Sequence, residues 1–187
     1  SSLLNLQSKG ITDEHARQVL EDGKERIQAI ALIHHRLYQN EVLSYITMQD
    51  YLPDLINQLK RTYVSADKQI QTNIETNEVR ISMDTAVPLG LIVCEMITNA
   101  YKHAFQGRDT GVIKVELKPS SNASYFELTI EDNGIGIKEG INFPQEGSLG
   151  AEIITALSEQ LNGELFMTSS EEGTKFKLIF QDAHEVV

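Results

Sequence analysis

The sequence lacks a long apolar run, a second cysteine and an excess of basic residues, and each absence excludes a class of protein. No stretch reaches the roughly 18 apolar residues that a membrane-spanning helix needs. The single cysteine, Cys94, cannot form an internal disulfide and lies in an apolar helical pattern, which is typical of a core residue in a reducing compartment. The formal net charge of −11 argues against sequence-independent binding of nucleic acid, since that needs a basic surface.

What is present is the composition of an ordinary soluble protein. The 187 residues are 41% hydrophobic and 23% charged, and they suffice for one sizeable domain with a helical appendage, or for two small domains. No internal repeat or low-complexity segment interrupts them. The chain begins with Ser1 rather than methionine, so we expect it to be part of a longer protein.

The N-terminal residues predict a helical hairpin. Leucines in residues 1–8 indicate the end of one helix, with Gly10 as its stop, and a second helix is predicted over residues 12–38. Apolar positions in the second helix recur at alternating steps of four and three, a bundle period that suggests pairing with a second copy. His34 lies on this seam and is typical of a core histidine, whereas His35 lies off it. No neighbouring cysteine or spaced histidine supports a metal site there.

The remaining residues predict an α+β domain with a mainly antiparallel sheet and two long helices on one face. The predicted helices are 47–63, 88–105 and 149–161. The predicted strands are 69–75, 79–83, 112–118, 125–131, 164–169 and 174–180.

The segment Asp132–Gly136, with the sequence DNGIG, is the centre of the functional prediction. It follows an alternating strand, so an acidic side chain falls at a strand end beside backbone that can bend sharply. Two glycines spaced by one residue permit positive φ and close approach of a ligand. An Asn-Gly hairpin turn is the alternative interpretation.

The helix predicted over 88–105 carries a second group of candidates. Glu95, Asn99, Lys102 and His103 project from one face within two turns. The Asn99 carbonyl oxygen and phosphate oxygens suit Mg²⁺, Lys102 could neutralise phosphate charge, and Glu95 could accept a proton or orient the attacking group. The alternative is a solvated polar face.

Two further segments complete the set. Ser148, Leu149 and Gly150 precede or begin the helix over 149–161, whose free N–H groups could face an anion, although a glycine-rich turn explains them equally. Thr174, after Gly173, could hydrogen-bond a base edge directly or through water, although threonine is common in strands.

The order and spacing of four features resemble the Bergerat ATP-binding fold of gyrase, mismatch-repair ATPases, the ATP-driven chaperone and histidine kinases. The four features are Asn99, the segment Asp132–Gly136, the Ser148–Gly150 turn and Gly173-Thr174. The resemblance implies a two-layer α/β sandwich preceded by the helical hairpin. It implies that Asp132 bonds the adenine amino group and Asn99 holds Mg²⁺. Gly134, Gly136 and Gly150 would line the nucleotide, and residues 138–148 would form a lid over ATP.

The segments Pro88–Gly90, Thr98–Phe105 and Gly173–Phe176 look like bacterial sensor histidine kinases. Residues 2–7 and 31–38 are similar to a subgroup in which a phosphotransfer hairpin directly precedes the ATP-binding domain. In that subgroup the phosphoacceptor histidine would lie upstream of Ser1, and His34 and His35 are the alternative acceptors in this chain. Ala151 departs from the larger apolar residue usual there, which predicts looser packing near the lid.

We therefore expect residues 1–45 to be a truncated phosphotransfer hairpin and residues 46–187 an ATP-binding catalytic domain. The implied reaction is transfer of the γ-phosphoryl group of Mg-ATP to a histidine, then to an aspartate of a response regulator. The implied context is a cytoplasmic catalytic region joined to an upstream sensor, possible homodimerisation through the hairpin, and a full-length protein that could be membrane-anchored. The alternatives are a nucleotide-binding regulatory module and an anti-sigma-type serine kinase.

Overall fold

The computed structural model describes residues 13, 16, 19–20, 22–24, 26–31, 45–65, 67–121, 124–137 and 149–182. The predictions for residues 1–8, for His34 and His35, and for Ser148 and the lid at 138–148 lie outside these residues. The described residues from 16 to 31 are helical, in agreement with the predicted second helix. They are called the N-terminal helix segment below.

Among the described residues, three α-helices and one π-helix follow. Helix α1 spans Met48–Tyr63, α2 spans Met83–Asn99 and continues as a π-helix over Ala100–Ala104, and α3 spans Leu149–Gln160. The predicted start of the second long helix at Pro88 is wrong by five residues, because a proline in the first turns of a helix need not be its first residue. The helix ends within one residue of the predicted end at 105, and its last turn widens into the π form.

Seven strands make two sheets in the part of the chain that the structure describes. Their ranges are Tyr45–Thr47 (β1), Gln69–Thr76 (β2), Arg80–Ser82 (β3), Thr110–Pro119 (β4), Tyr125–Asp132 (β5), Glu164–Ser170 (β6) and Gly173–Gln181 (β7). The large sheet has the order β2-β4-β5-β7-β6, with β2 parallel to β4 and the other pairs antiparallel. Strand β1, which has only three residues and was not predicted, pairs with β3.

One face of the large sheet packs against the helices. The inward residues alternate along the strands, as the sequence pattern predicted, and they share one buried cluster with α1 and α2. From the sheet this cluster contains Ile113, Val115, Leu117, Leu128, Ile130, Phe176, Leu178 and Phe180. The other face carries charged cross-strand pairs such as Lys177–Glu127, whose N–O distance is 2.7 Å. Helices on one face of a mixed sheet form the predicted α+β sandwich.

The start of α2 is held by a residue from the far end of the domain. Asp182, just after β7, accepts hydrogen bonds from the Ser82 N–H at 2.9 Å, the Ser82 hydroxyl at 2.5 Å and the Thr85 hydroxyl at 2.6 Å. Both hydroxyl-bearing residues are buried. The carboxylate thus caps free N–H and O–H groups of the first helical turn, and it ties α2 to the sheet.

Candidate functional site

Asp132 ends β5 and is half-buried. Its Oδ1 accepts a hydrogen bond from the Gly134 N–H at 2.9 Å, and the Thr174 N–H lies near enough to favour the charged carboxylate. Burial raises the pKa of this carboxyl above its ordinary value, while the two N–H groups and Glu131 have smaller effects. Asp132 is therefore a hydrogen-bond acceptor that is fixed in direction and incompletely solvated.

A cleft of about 250 Å³ opens beside this carboxylate, and Ser169, Gly173 and Thr174 also line it. In the antiparallel pairing of β5 with β7, Asp132 lies directly opposite Thr174. Gly173 has a φ of 132°, and a Cβ there would collide with the Asp132 carbonyl oxygen. The glycine therefore lets β7 begin close enough for Thr174 to stand beside the carboxylate.

The glycine segment after Asp132 does not form the Asn-Gly hairpin turn considered as an alternative. Strand β5 pairs with β4 and β7, and neither follows it through a two-residue turn. The Asn133 side chain instead accepts the Val112 N–H at 2.7 Å, and Arg108 donates to the Asn133 carbonyl at 2.8 Å. Asn133 therefore anchors this segment to the start of β4.

The same segment packs tightly against the π-helix that extends α2. The Ile135 N–H donates to the Ala104 carbonyl at 2.9 Å, and a Cβ on Gly134 would collide with that carbonyl oxygen. Gly136 has a φ of 68°, and a Cβ there would collide with the Ser170 carbonyl oxygen. Both glycines are thus needed for close approach to the protein's own backbone, whereas the prediction concerned close approach of a ligand. Gly134 joins the segment after Asp132 to the end of α2.

Glu95 does not lie on a solvated face, because the N-terminal helix segment covers it. Its side chain is 9% exposed, and Arg26 donates to its two oxygens at 2.5 and 3.1 Å. This hydrogen-bonded pairing raises the pKa of the Arg26 guanidinium. A Cβ on Gly150 would lie 2.8 Å from the second Glu95 oxygen, so α3 begins beside the carboxylate. A helix N-terminus favours an anionic group at that place.

Lys102 and His103 stand further along, in the π-helix. The Lys102 ammonium lies 2.5 Å from an Asp22 oxygen and 5.1 Å from the centroid of the Tyr63 ring. The His103 side chain reaches solvent, yet partial burial lowers its pKa, and the charge of Lys102 lowers it further against a smaller opposite effect of Asp22. A lowered pKa favours the neutral imidazole at neutral pH.

Asn99 is partly buried in the last turn of α2. Four residues before it, Glu95 meets the start of α3, and five residues after it, Ala104 meets Gly134. The helix therefore carries Asn99 between these two contacts, and Asn99 is not among the residues that line the Asp132 cleft. Among the described residues, no cluster of three or more His, Cys, Asp and Glu side chains could hold a metal ion by itself.

Two other predicted residues lie at the start of α3. The side chain of Leu149 is 50% exposed, whereas Ala151 is buried. Sequence reasoning missed Ser169, Arg26 and Asp22 as neighbours of the candidate residues. For Ser169 a signal existed, because the strand alternation that places Thr174 inward also places its partner in β6 inward. Arg26 and Asp22 carry no such signal, since nothing in the sequence tells which domain surface a helix will cover.

Comparison with known proteins shows the family to which the chain belongs. Residues 84–184 match the family of histidine kinase-, DNA gyrase B- and HSP90-like ATPases, and residues 1–63 match a histidine kinase family. The chain belongs to the histidine kinases. Its α+β domain is therefore the histidine kinase ATPase domain, and the helical residues that precede it fall in the second match.

Individual relatives agree with the family. This chain is 37% identical over 105 residues to blue-light-activated histidine kinase 2 of Erythrobacter litoralis. The match covers 56% of this chain and 30% of that protein. It is 26% identical over 173 residues to the sensor histidine kinase PdtaS of Mycobacterium tuberculosis. That match covers 92% of this chain and 34% of PdtaS. The chain thus spans about a third of the length of these relatives.

A solved structure shows the same fold. The histidine kinase domain of the Erythrobacter litoralis EL346 blue-light-activated histidine kinase superposes with a TM-score of 0.79. The two chains are 26% identical, and the match covers 97% of this chain and 83% of that one. In the part of this chain that the structure describes, no helix is long and apolar enough to cross a membrane.

Proposed function

We propose that this region of the histidine kinase binds Mg-ATP and transfers its γ-phosphoryl group to a histidine, from which a response-regulator aspartate receives it. One observation carries the proposal. The fixed, partly buried Asp132 carboxylate lines a cleft with Thr174, and Gly134 joins that cleft to the helix that bears Asn99. Asp132 would accept a hydrogen bond from the adenine amino group, and Asn99 would lie on the side of the phosphates.

Magnesium fits this donor set. Mg²⁺ binds through one or two carboxylates together with waters and substrate phosphates rather than in an all-protein cage. An Asn99 oxygen with phosphate oxygens is therefore compatible with its chemistry, although the described residues contain no cluster of metal-binding side chains. The bound ion would neutralise charge on the phosphates. The Gly150 and Leu149 N–H groups at the start of α3 suit the same anion.

The remaining residues are assigned to transfer. Lys102 would neutralise phosphate charge, and Glu95 would accept a proton or orient the attacking imidazole. Both are paired with the N-terminal helix segment through Asp22 and Arg26. Transfer therefore requires these two ion pairs to open. His103, favoured as the neutral imidazole, would act as a hydrogen-bonding group rather than as a charge.

The domain division stays a proposal, with residues 1–45 as the phosphotransfer hairpin and 46–187 as the catalytic domain. The pairing of β1 with β3 and the burial of α1 in the ATPase core support a boundary near residue 45. The histidine kinase match, however, continues to residue 63. We propose that the phosphoacceptor histidine lies upstream of Ser1, with His34 and His35 as alternatives. The same proposal includes dimerisation through the hairpin and a sensor domain upstream of it.

The competing functions predict different products. A nucleotide-binding regulatory module would bind ATP without transferring phosphate, and an anti-sigma-type kinase would phosphorylate serine. The match of residues 1–63 to a histidine kinase family favours histidine transfer over serine transfer. Incubation with γ-labelled ATP separates the cases, because phosphohistidine is acid-labile and phosphoserine is not.

The labelling experiment is best done with this chain alone and with a longer chain that includes the upstream segment. Acid-labile label on the longer chain only supports an upstream acceptor. Label on this chain that disappears in His34→Ala or His35→Ala would place the acceptor there instead. Acid-stable label on serine would reject histidine transfer.

Nucleotide binding itself is tested by Asp132→Asn. The amide can turn its N–H₂ toward the adenine amino group, and the charged acceptor is lost, which costs about 1.5–3 kcal/mol. We expect the ATP dissociation constant to rise roughly 10- to 150-fold in calorimetric titration. Glu164→Gln, at an exposed position at the start of β6, is the matched control. Unchanged ATP affinity in Asp132→Asn would reject the proposed role.

A further inference from the structure

A row of three polar side chains crosses the sheet at the mouth of the cleft. Thr174 on β7 pairs with Asp132 on β5 and with Ser169 on β6. Directly opposed residues of neighbouring strands project from the same face, so the three side chains stand side by side. All three line the cleft. Asp132 and Thr174 are already assigned to the nucleotide, whereas Ser169 has no role in the proposed function.

The Ser169 hydroxyl is held from three directions. It accepts the Ile137 N–H at 2.8 Å, and it lies 3.0 Å from the Thr174 hydroxyl and 3.3 Å from the Gly173 carbonyl. A serine hydroxyl has one proton to donate. If that proton goes to Thr174, the Thr174 proton is free to point into the cleft. If it goes to the Gly173 carbonyl, Thr174 can donate to Ser169, and it then offers only lone pairs to a ligand.

The shorter contact and the chemistry of adenine both favour the first arrangement. The amino group of adenine, a donor, stands next to ring nitrogen N1, an acceptor. With Asp132 accepting from the amino group, the neighbouring protein group must donate, directly or through one water. We propose that Ser169 is a positioning residue which donates to Thr174 and so fixes the Thr174 hydroxyl as a donor toward adenine N1. The inference rests on the proposed binding of ATP at this cleft.

The proposal predicts that Ser169 controls recognition of one ring atom. In 1-deaza-ATP a C–H group replaces N1, so this nucleotide cannot accept the Thr174 proton. The wild-type protein should bind ATP about fivefold more tightly than 1-deaza-ATP, the value of one neutral hydrogen bond. In Ser169→Ala, where the Thr174 hydroxyl can turn freely, that ratio should fall to about two or less. Calorimetric titration with both nucleotides measures it.

Two variants control for damage to the hairpin. Ser169→Thr keeps the hydroxyl and should keep the wild-type ratio. Ser170→Ala removes the neighbouring hydroxyl, which accepts the Glu172 N–H at 3.2 Å within the turn, and it should also keep the ratio. A purely structural role of Ser169 would weaken both nucleotides equally and leave the ratio unchanged.

Each result decides a separate question. Failure of the wild-type protein to bind ATP would overturn the proposed function. Binding of ATP with a ratio near one in the wild type, or with the same ratio in Ser169→Ala, would overturn the role of Ser169 and leave the proposed function standing. If Ser169→Ala does not fold, Ser169→Cys replaces it, because a thiol is a weak donor and should lower the ratio as well.

Discussion

At the scale of single residues, Asp132 shows how binding competes with stability. Its carboxylate must keep an oxygen available to accept a hydrogen bond from a ligand, yet it lies where burial raises its pKa. A raised carboxyl pKa means that the folded protein holds the proton more tightly than the unfolded chain does. Ionisation at neutral pH therefore costs folding stability when no ligand is bound.

This cost predicts that Asp132→Asn stabilises the nucleotide-free protein at neutral pH. The Asn oxygen can still accept the Gly134 N–H, and the amide does not ionise. The gain should be full above the raised folded pKa of Asp132 and should vanish as the pH falls to the ordinary carboxyl value of 3.8. Thermal unfolding across this pH range, without nucleotide, measures it.

The control for that series is Glu164→Gln, which makes the same chemical change at an exposed position. A variant of Asp132 that is less stable than the wild type at neutral pH would contradict the account. It would mean that the carboxylate is held for folding rather than for a ligand.

At the scale of secondary-structure elements, Asp182 connects the end of β7 to the start of α2. Asp182→Ala removes the acceptor for one backbone N–H and two buried hydroxyls at once. We expect a loss of about 2–3 kcal/mol in the free energy of unfolding, since each cap or buried hydrogen bond contributes about 1 kcal/mol. Denaturant unfolding measures this loss.

Asp182→Asn is the informative comparison because it keeps one acceptor oxygen. It should lose less stability than Asp182→Ala. Equal, small losses below about 0.5 kcal/mol in both variants, typical of surface changes, would show that the carboxylate does not cap α2.

The regular elements were predictable from sequence because their signals are local. Alternation along 125–131 and 174–180 predicted both the strands and their inward faces, and the ends were within two residues. The start of α2 was missed because Pro88 resembles a first helical residue, and because the true start is capped by Asp182, about a hundred residues away. The π-helix was missed because hydrophobic periodicity does not distinguish it from an α-helix, and Ala104 at its end packs against Gly134.

At the scale of the whole molecule, the N-terminal helix segment contacts the ATPase domain through ion pairs. The Arg26–Glu95 pair is mostly shielded from solvent, with side-chain exposures of 16% and 9%. Arg26→Ala would leave the Glu95 carboxylate without its guanidinium. We expect the free energy of unfolding to fall by about 3 kcal/mol, the lower end for breaking a buried pair.

Two variants make that prediction specific. Replacing both partners with methionine should restore most of the stability, because no buried charge is left unpaired. Lys118→Ala breaks the exposed Lys118–Glu116 pair, with exposures of 38% and 41%, and should lower the free energy of unfolding far less than Arg26→Ala does. Equal effects of Arg26→Ala and Lys118→Ala would contradict the docking of the helix segment on Glu95.

The candidate site was predictable only in part, because some of its contacts join parts of the chain that are distant in sequence. The glycine pattern after Asp132 and the pairing with Thr174 follow from residues close in sequence or in register. The ion pairs of Glu95 and Lys102 with Arg26 and Asp22 depend on how two parts of the chain meet. From sequence alone, the charges of Glu95 and Lys102 indicated either a solvated helix face or a site open to phosphate.

The central claim is that Asp132 and Asn99 act on opposite ends of one nucleotide, and ATP affinity with and without Mg²⁺ tests it most directly. Asn99→Ala should keep the Mg²⁺-free affinity within about twofold and lose most of the gain that Mg²⁺ brings, about tenfold, because it removes one metal ligand. Asp132→Asn should weaken binding by the same factor in both conditions. The account is contradicted if Asn99→Ala keeps the full Mg²⁺ dependence, or if Asp132→Asn weakens binding only when Mg²⁺ is present.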